Sequence, residues 1–382
     1  MDRRFFLKAA GASAAVLWLG QTNAATPTLS SDPWAPWTAE ALSEHADPRL
    51  RAVAHAILVP NPQNLQPWLI EFPSAERIVL RAAPDRKLLV CDYPDRQVTV
   101  GFGTFSEVLQ LALEAEGFDV NIDPFPLGEP WPYLDDRPVA VFELKQGAPR
   151  RDPLLDQLLK RHTNRTPFDT SRPPTQIQLD AIRSATRWPE NVYVNLEPSL
   201  AGKIHDIVLR AWDRANVEFV PTLAEVARWT KIGTAAITAS PYGPNMPDAV
   251  VAKAPGTVTV NTLSDPTSAI AQAMRTNYRR AVESGQAHIW IASPDYDRKG
   301  AFNAGRDWVR AHLKATELGL DMQPHSQPLF DFAEIMPFVR ELHDTVGVAT
   351  PGRIQMLGRI GHGTSVGPSQ RATAISHLVA SR

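Results

Sequence analysis

Apolar positions repeat at helical spacing in two separate parts of the chain. The first run is Gly103-Thr104-Phe105-Ser106-Glu107-Val108-Leu109-Gln110-Leu111-Ala112-Leu113, which ends at Gly117-Phe118-Asp119-Val120. The second is Gly305-Arg306-Asp307-Trp308-Val309-Arg310-Ala311-His312-Leu313, which ends at Gly319-Leu320-Asp321-Met322. A glycine followed by an apolar residue is the usual left-handed stop of a helix. Gly103 and Gly305, Leu111 and Leu313, Gly117 and Gly319, and Asp119 and Asp321 all stand 202 positions apart. Upstream of each run, β-branched and aromatic residues between turn signals predict strands. These are Arg77–Leu80 and Lys87–Val90 in the first copy, and His288–Ser293 in the second. The pattern predicts an α+β chain of two tandem modules, one over residues 38–148 and one over 150–365.

The joint falls near Gln146–Arg151, and a helix with Leu154, Leu155, Leu158 and Leu159 on one stripe is expected to lead to Arg161. Residues 211–285 have no counterpart in the first module and hold Trp229 and the turn-rich Ser240–Asn245. An insertion of that length predicts a lid. Residues 366–382 read as a C-terminal tail.

The first 25 residues fit a leader rather than a fold. Arg3-Arg4-Phe5-Phe6-Leu7-Lys8 is a twin-arginine pattern, followed by an apolar stretch from Ala9 to Leu19 and small residues around Ala24 and Ala25. The stretch is short for a membrane span, and no other segment is long enough. A periplasmic or exported protein is expected, with no stable membrane span after processing. That route carries folded proteins, often with a cofactor already inserted.

Composition narrows the chemistry. The chain has 382 residues, 43% of them apolar and 21% charged, with a net charge of −2. No general basic character points to nucleic acid. Cys91 is the only cysteine, which excludes an intrachain disulfide and a multi-cysteine metal site. It follows Leu88-Leu89-Val90 in what reads as a buried strand. The ten histidines are scattered, so no metal is expected.

Two segments carry candidate chemistry. In Arg161-His162-Thr163-Asn164-Arg165, an extended backbone would send Arg161, Thr163 and Arg165 to one face. Two guanidinium forks with a hydroxyl between them suit a phosphate ester; a solvated basic patch is the other reading. Pro60-Asn61-Pro62-Gln63-Asn64-Leu65-Gln66-Pro67-Trp68 is an amide-rich loop leading into a strand at Leu69–Phe72. Its side chains offer both donors and acceptors to a ligand with mixed polar edges, although an ordinary asparagine-proline turn has the same composition.

The Asn64-x-Gln66-Pro67-Trp68 loop, the Arg161-x-Thr163-x-Arg165 segment and the C-terminal Met356-Leu357-Gly358-Arg359-Ile360-Gly361-His362-Gly363 occur in this order. Together they resemble the nitroreductase-like FMN-binding oxidoreductases, most closely the Acg-like branch, over residues 38–365. The resemblance implies two nitroreductase-like modules forming a pseudo-dimer within one chain, which would then be monomeric. It implies that Arg161, Thr163 and Arg359 hold the phosphate and ribityl chain of FMN. Arg165 would approach the N1–O2 edge of the ring, while Pro60, Asn61, Asn64 and Gln66 close the site from the first module. The neighbours of flavin N5 would lie in Pro324–Pro328, with Ser326 and Gln327 in the binding set.

His325 in that stretch is either a proton donor or structural. No side chain need be catalytic, because FMN would pass hydride or electrons to a flat acceptor such as a nitroaromatic or quinone. Trp229 and Tyr242 could cover that acceptor, but core or lid-packing residues are the favoured reading of both. The alternative is an exported flavin-binding or flavin-sequestering protein without nicotinamide-dependent turnover. The chain departs from the family pattern at Asn61 and Pro62, where serines are usual. The first module also lacks an Arg-x-Ser/Thr-x-Arg segment, so one FMN per chain is expected.

Overall fold

The computed structural model describes residues 32–381. The expected leader at 1–25 lies outside the described residues. Gly103 and Gly305 mark the place where the helices Arg96–Ala115 and Arg298–Glu317 cross. A Cβ on Gly103 would overlap the Phe302 carbonyl oxygen and lie 3.0 Å from the Gly305 Cα. A Cβ on Gly305 would overlap the Val100 carbonyl in the same way. Val100 and Phe302 are themselves 202 apart, so the contact is reciprocal. Backbones this close admit only glycine at the crossing.

Each long helix serves a four-stranded antiparallel sheet. The first contains β1 (Trp68–Ser74), β2 (Arg77–Ala82), β3 (Phe118–Pro124) and β4 (Ala140–Gln146), in the order β1-β2-β4-β3. The chain then supplies β5 (Val192–Asn195), a short parallel pair β6 (Lys231–Ile232) and β7 (Asn245–Met246), then β8 (Ala287–Ser293), β9 (Asp321–Pro324) and β10 (Arg353–Gly361). The second sheet has the order β5-β8-β10-β9. Both sheets therefore place their strands as first, second, fourth, third, with the long helix between the second and third.

Burial distinguishes them. Exposure alternates residue by residue along β3, as in a sheet with one wet face, whereas every residue of β8 is buried. One face of the second sheet packs Ile289, Ile291 and Met322 against Ala304, Trp308 and Ala311 of the long helix. The other packs Trp290, Ile354 and Leu357 against Ile204, Ile207 and Val208 of the Pro198–Asp213 helix.

Arginines clasp the two halves at equivalent places. Arg96 donates to Asp331 at 2.9 Å and to the Leu329 and Gln355 carbonyls at 2.7 Å. Arg298, 202 positions later, donates to Thr99 Oγ1 at 3.0 Å and the Pro132 carbonyl at 2.7 Å. Between the helices, buried Glu107 accepts from Arg187, Arg306 and Arg310 at 2.6, 2.9 and 3.0 Å. Burial alone would raise the pKa of Glu107, but the guanidiniums outweigh it and hold the carboxyl below its usual range.

Three local expectations are corrected. Lys87–Val90 is not a strand but loop and turn ahead of the Arg96–Ala115 helix. The Asp92 carboxylate accepts from the backbone N–H groups of Gln97 and Val98 at 2.7 Å, and both edges of β2 are already paired. Leu89 accordingly stands in solvent, while Cys91 is buried and burial raises its thiol pKa. Leu154, Leu155 and Leu158 enter the first core from a short 3₁₀ turn, Pro153–Gln157, rather than from a helix. Residues 366–381, read as a tail, pack back across the first sheet. Leu378 bridges Ile70 of β1, and the Val379 N–H donates to the Ile70 carbonyl at 2.9 Å.

Candidate functional site

A cavity of about 510 Å³ lies where the Arg161 segment, the Pro60 loop, the 211–285 insertion and the C-terminal segment meet. The Arg161 segment is held extended by a parallel bridge from Thr163 to Met322 of β9, and the Asn164 N–H donates to the Met322 carbonyl at 3.1 Å. Arg161, Thr163 and Arg165 all line the cavity. Asn164 turns away, donating to the Thr364 carbonyl at 2.7 Å. His162 also reaches the lining, with its ring 5.3 Å from Trp37.

Arg161 is buried, and its Nη2 donates to the Leu58 carbonyl at 3.1 Å. Its Nε and Nη1 have no protein partner. Burial lowers its pKa to about 10. Arg371, from the C-terminal segment, lines the same cavity and shares the Leu58 carbonyl at 3.3 Å. Its guanidinium also donates to the carbonyls of Ile57 and Val59 at 2.7 and 3.0 Å. Burial, and then the neighbouring charge of Arg161, lower its pKa to about 9. Arg165 is open to the cavity space although protein surrounds it; that enclosure lowers its pKa, and Tyr278 partly opposes the shift. Among the described residues, no aspartate, glutamate or lysine lines the cavity. Three guanidiniums without a carboxylate form a site for an anion.

The opposite wall is apolar. Leu223, Val226, Met246, Leu263 and Met274 come from the insertion, and Trp212 stacks on Tyr278 at 5.4 Å and 24°. Trp229 and Tyr242 do not line the cavity, as befits packing residues of the insertion rather than contacts to an acceptor. The Tyr242 ring lies under the Arg86 guanidinium at 4.7 Å.

The amide loop is placed at the cavity but its side chains are largely occupied. Pro60, Asn61 and Asn64 line the space and Gln66 does not. Gln63, Asn64 and Gln66 all adopt left-handed backbone angles, with φ of 47°, 53° and 50°. The Asn61 Oδ1 accepts from the Gln66 N–H at 2.8 Å and stabilises this turn. Gln66 donates to the Pro241 carbonyl at 2.7 Å and accepts from the Ala372 N–H at 2.9 Å. Asn64 donates to the carbonyls of Gly243 and Gln370 at 3.3 and 3.2 Å and accepts from Arg371. These amides therefore latch residues 241–243 and the C-terminal segment to the Pro60 loop.

Arg359 lies one layer behind the cavity. It donates to Gln323 Oε1 at 2.7 Å, Ser284 Oγ at 3.0 Å and the Thr166 carbonyl at 2.6 Å, with its charge 3.7 Å over the Phe168 ring. Gln323, not Arg359, reaches the lining. Ser326 and Gln327 do line the cavity, whereas His325 is fully buried behind them. Burial, and then His288 and Arg359, hold its pKa well below the usual histidine value.

Sequence reading missed Arg371 and Tyr278. Arg371 stands alone in a polar tail, and the only signal is an arginine without a nearby acidic residue. Tyr278 lies mid-helix among arginines and shows no motif. Among the described residues, no group of three or more histidine, cysteine or acidic side chains could hold a metal.

No family model and no curated protein matches the chain. Solved structures do resemble part of it. An FMN-dependent nitroreductase from Mycobacterium smegmatis, in complex with NADPH, is 12% identical, with a TM-score of 0.36 over 60% of this chain and 94% of that one. A nitroreductase with bound FMN from Desulfitobacterium hafniense is 14% identical, with a TM-score of 0.35 over 58% and 95%. The nitroreductase-like family protein from Bacillus cereus is 12% identical, with a TM-score of 0.33 over 59% and 94%. At these scores the likeness is loose, and the residues of the cavity carry the functional assignment.

Proposed function

We propose that the chain is an FMN-dependent oxidoreductase of nitroreductase-like type, in which two fused modules build one flavin site between them. The observation that carries this reading is the charge of the cavity. Arg161, Arg165 and Arg371 line it, no carboxylate does, and two buried nitrogens of Arg161 lack a partner. A phosphate monoester fits the paired Arg161 and Arg371, and a flat ring fits the apolar wall beyond. Arg371 takes the phosphate role that the sequence motif suggested for Arg359.

When bound, FMN supplies reversible two-electron and hydride exchange at its N5. Arg161 and Arg371 would neutralise the phosphate, and Thr163 would offer a hydroxyl to the polar chain. Arg165 would place a cation beside the ring edge. Trp212, Tyr278 and the apolar residues of the insertion would exclude water from the acceptor, a flat electrophile such as a quinone or nitroaromatic. The leader pattern supports an exported protein that is loaded with its cofactor before transport. The matching strand orders and the reciprocal glycine crossing support a fused pseudo-dimer.

A flavin-sequestering role has its own support in the amide latch from Asn64 and Gln66 to Pro241 and Gly243, which holds the insertion down. The decisive measurement is flavin content of the purified protein. One FMN per chain is expected, and a colourless protein that ignores added FMN overturns both readings. Bleaching by NADH or NADPH as well as by dithionite then separates turnover from storage.

A further inference from the structure

Three histidines, which the cavity's binding role does not use, continue a row that starts at Tyr278 in the cavity wall. Tyr278, on the Ala269–Glu283 helix, lines the cavity and gives its hydroxyl hydrogen to Gln327 Oε1 at 3.1 Å. Its oxygen lies 3.3 Å from His325 Nδ1. His325 is fully buried and its Nε2 has no partner. The ring of His288 follows at 6.4 Å, also fully buried, with both nitrogens unpartnered. His205, half-buried on the Pro198–Asp213 helix, stands 5.1 Å beyond, and its Nε2 meets the Gly285 carbonyl at 2.8 Å.

The register of the second sheet builds this row. His288 pairs with Arg359 on one side and Asn195 on the other, and the Pro198–Asp213 helix covers that face.

Unpartnered polar atoms in a protein interior are rare and call for an explanation. Here three occur in succession: Nε2 of His325 and both nitrogens of His288. They are the atoms a proton would visit in passing from ring to ring. The charged and titratable groups facing the row are Arg359, Glu283 and Tyr278. Burial first, and then neighbouring rings and Arg359, lower the pKa of His325 and His288; burial also lowers that of His205, against the opposing Gly285 carbonyl and Glu283. A neutral imidazole accepts at one nitrogen and releases from the other, so it transmits a proton without storing it. Of the spacings, 5.1 Å suits direct contact after a ring rotation, while 6.4 Å needs a ring swing or one bridging water.

The cavity needs such a supply. Among the described residues its lining has no aspartate, glutamate or lysine, and burial, then Arg161 and Arg371, lower the pKa of its one histidine, His162, to about 4, so that ring carries no proton to give. We propose that Tyr278, His325, His288 and His205 form a proton path between solvent and the cavity.

The proposal rests on the flavin reading for its use, though not for its existence. Reducing a quinone to a quinol adds two electrons and two protons. One hydrogen arrives with its electron pair as hydride from reduced flavin, and the other proton comes from the protein. The Tyr278 O–H bond breaks as a new O–H bond forms on the acceptor, His325 Nδ1–H restores the phenol, and His288 and His205 return the proton from solvent.

The path is tested first without flavin chemistry. In protein carrying ¹⁵N-labelled histidine, His205→Phe should slow solvent exchange of the His288 ring N–H at least tenfold. Unchanged exchange overturns the path, whether or not flavin is bound. In the flavin-loaded protein, reduced by dithionite and reoxidised by menadione, His288→Leu should slow reoxidation at least tenfold. It should also change the solvent isotope effect, leave flavin content unaltered and respond to added imidazole. Reoxidation at the wild-type rate overturns the role in turnover. Absence of flavin in the wild type would defeat the oxidoreductase reading instead, and the exchange measurement would still decide the path. Should His288→Leu not fold, the half-buried His205→Phe carries both tests.

Discussion

Replacing Arg161 by methionine should move stability and ligand affinity in opposite directions. Burial lowers its pKa from 12.5 to about 10. At 1.36 kcal/mol per pKa unit, keeping that charge in the ligand-free protein costs about 3 kcal/mol. The substitution gives up the bond to the Leu58 carbonyl, about 1 kcal/mol, but that carbonyl keeps Arg371 as a donor. The ligand-free variant should therefore be more stable by about 2 kcal/mol, seen as a rise of a few degrees in melting temperature.

Binding should suffer far more. The two unpartnered nitrogens, Nε and Nη1, would each make a charge-assisted bond to phosphate. Such bonds contribute about 1.5–3 kcal/mol apiece, so FMN affinity should fall by about 10²–10⁴-fold. Scanning fluorimetry of flavin-stripped protein and a flavin-fluorescence titration measure the two effects. The pH dependence has a definite sign. A folded-state pKa below the unfolded one penalises the fold fully below pH 10, and the penalty fades as pH rises from about 10 towards 12.5. The variant should lack that gain. Wild-type FMN affinity in Arg161→Met would refute the phosphate assignment, and a less stable ligand-free variant would refute the uncompensated charge.

The same reasoning separates other residues. Arg371→Met removes a charge beside the phosphate but no unpartnered donor, so it should lower FMN affinity less than Arg161→Met does, while Arg359→Met should destabilise the fold and leave the affinity of the folded fraction within about tenfold, by the same titration. Glu107→Gln leaves Arg187 and Arg306 without their carboxylate and Arg310 with Asp152 alone, and should cost about 3–5 kcal/mol in denaturant unfolding. Because the folded pKa of Glu107 is lowered, its contribution is present above about pH 4.5 and lost as pH falls through the folded value. Wild type should therefore lose more stability than Glu107→Gln in acid. Gly305→Ala places a Cβ against the Val100 carbonyl and should lower the melting temperature by several degrees, whereas Gly202→Ala, with open space around it, should not. Gln66→Leu strands the Pro241 carbonyl and the Ala372 N–H, at about 1–3 kcal/mol each. Faster proteolytic nicking near residues 240–245 would report the freed insertion.

The large elements were legible because each has a local cause. Helical spacing and the terminal glycines announce Arg96–Ala115 and Arg298–Glu317, and Gly117 and Gly319 do take positive φ, 92° and 71°. The period of an extended strand puts Arg161, Thr163 and Arg165 on one wall. Lys87–Val90 misled because three successive apolar residues, Leu88, Leu89 and Val90, have the composition of a strand. What decides is the availability of a partner strand, and β2 has none to spare. The asparagines and glutamines of the Pro60 loop misled differently. An amide that binds a ligand and an amide that binds a neighbouring loop have the same donors and acceptors, and only the positions of Pro241, Gly243 and Ala372 tell them apart.

Arg359 and Arg371 sharpen the point about what a motif can and cannot specify. Both are buried guanidiniums with burial-lowered pKa values and no carboxylate partner, so charge alone does not separate them. The difference is direction. Arg359 pairs across the second sheet with His288 and Gln323, and that register turns it towards Ser284, Thr166 and the ring of Phe168. Arg371 comes from a segment without regular structure whose course is set by long-range contacts: Asn64 and Gln66 on one side, Ile70 on the other. Those contacts deliver it beside Arg161, 210 positions earlier in the chain. Two like charges sharing one carbonyl are unfavourable in a protein interior unless an anion joins them. Both arginines are held by neutral acceptors, but the fold places Arg371 beside Arg161 at the cavity wall, where an anion can reach the pair, and Arg359 one layer behind.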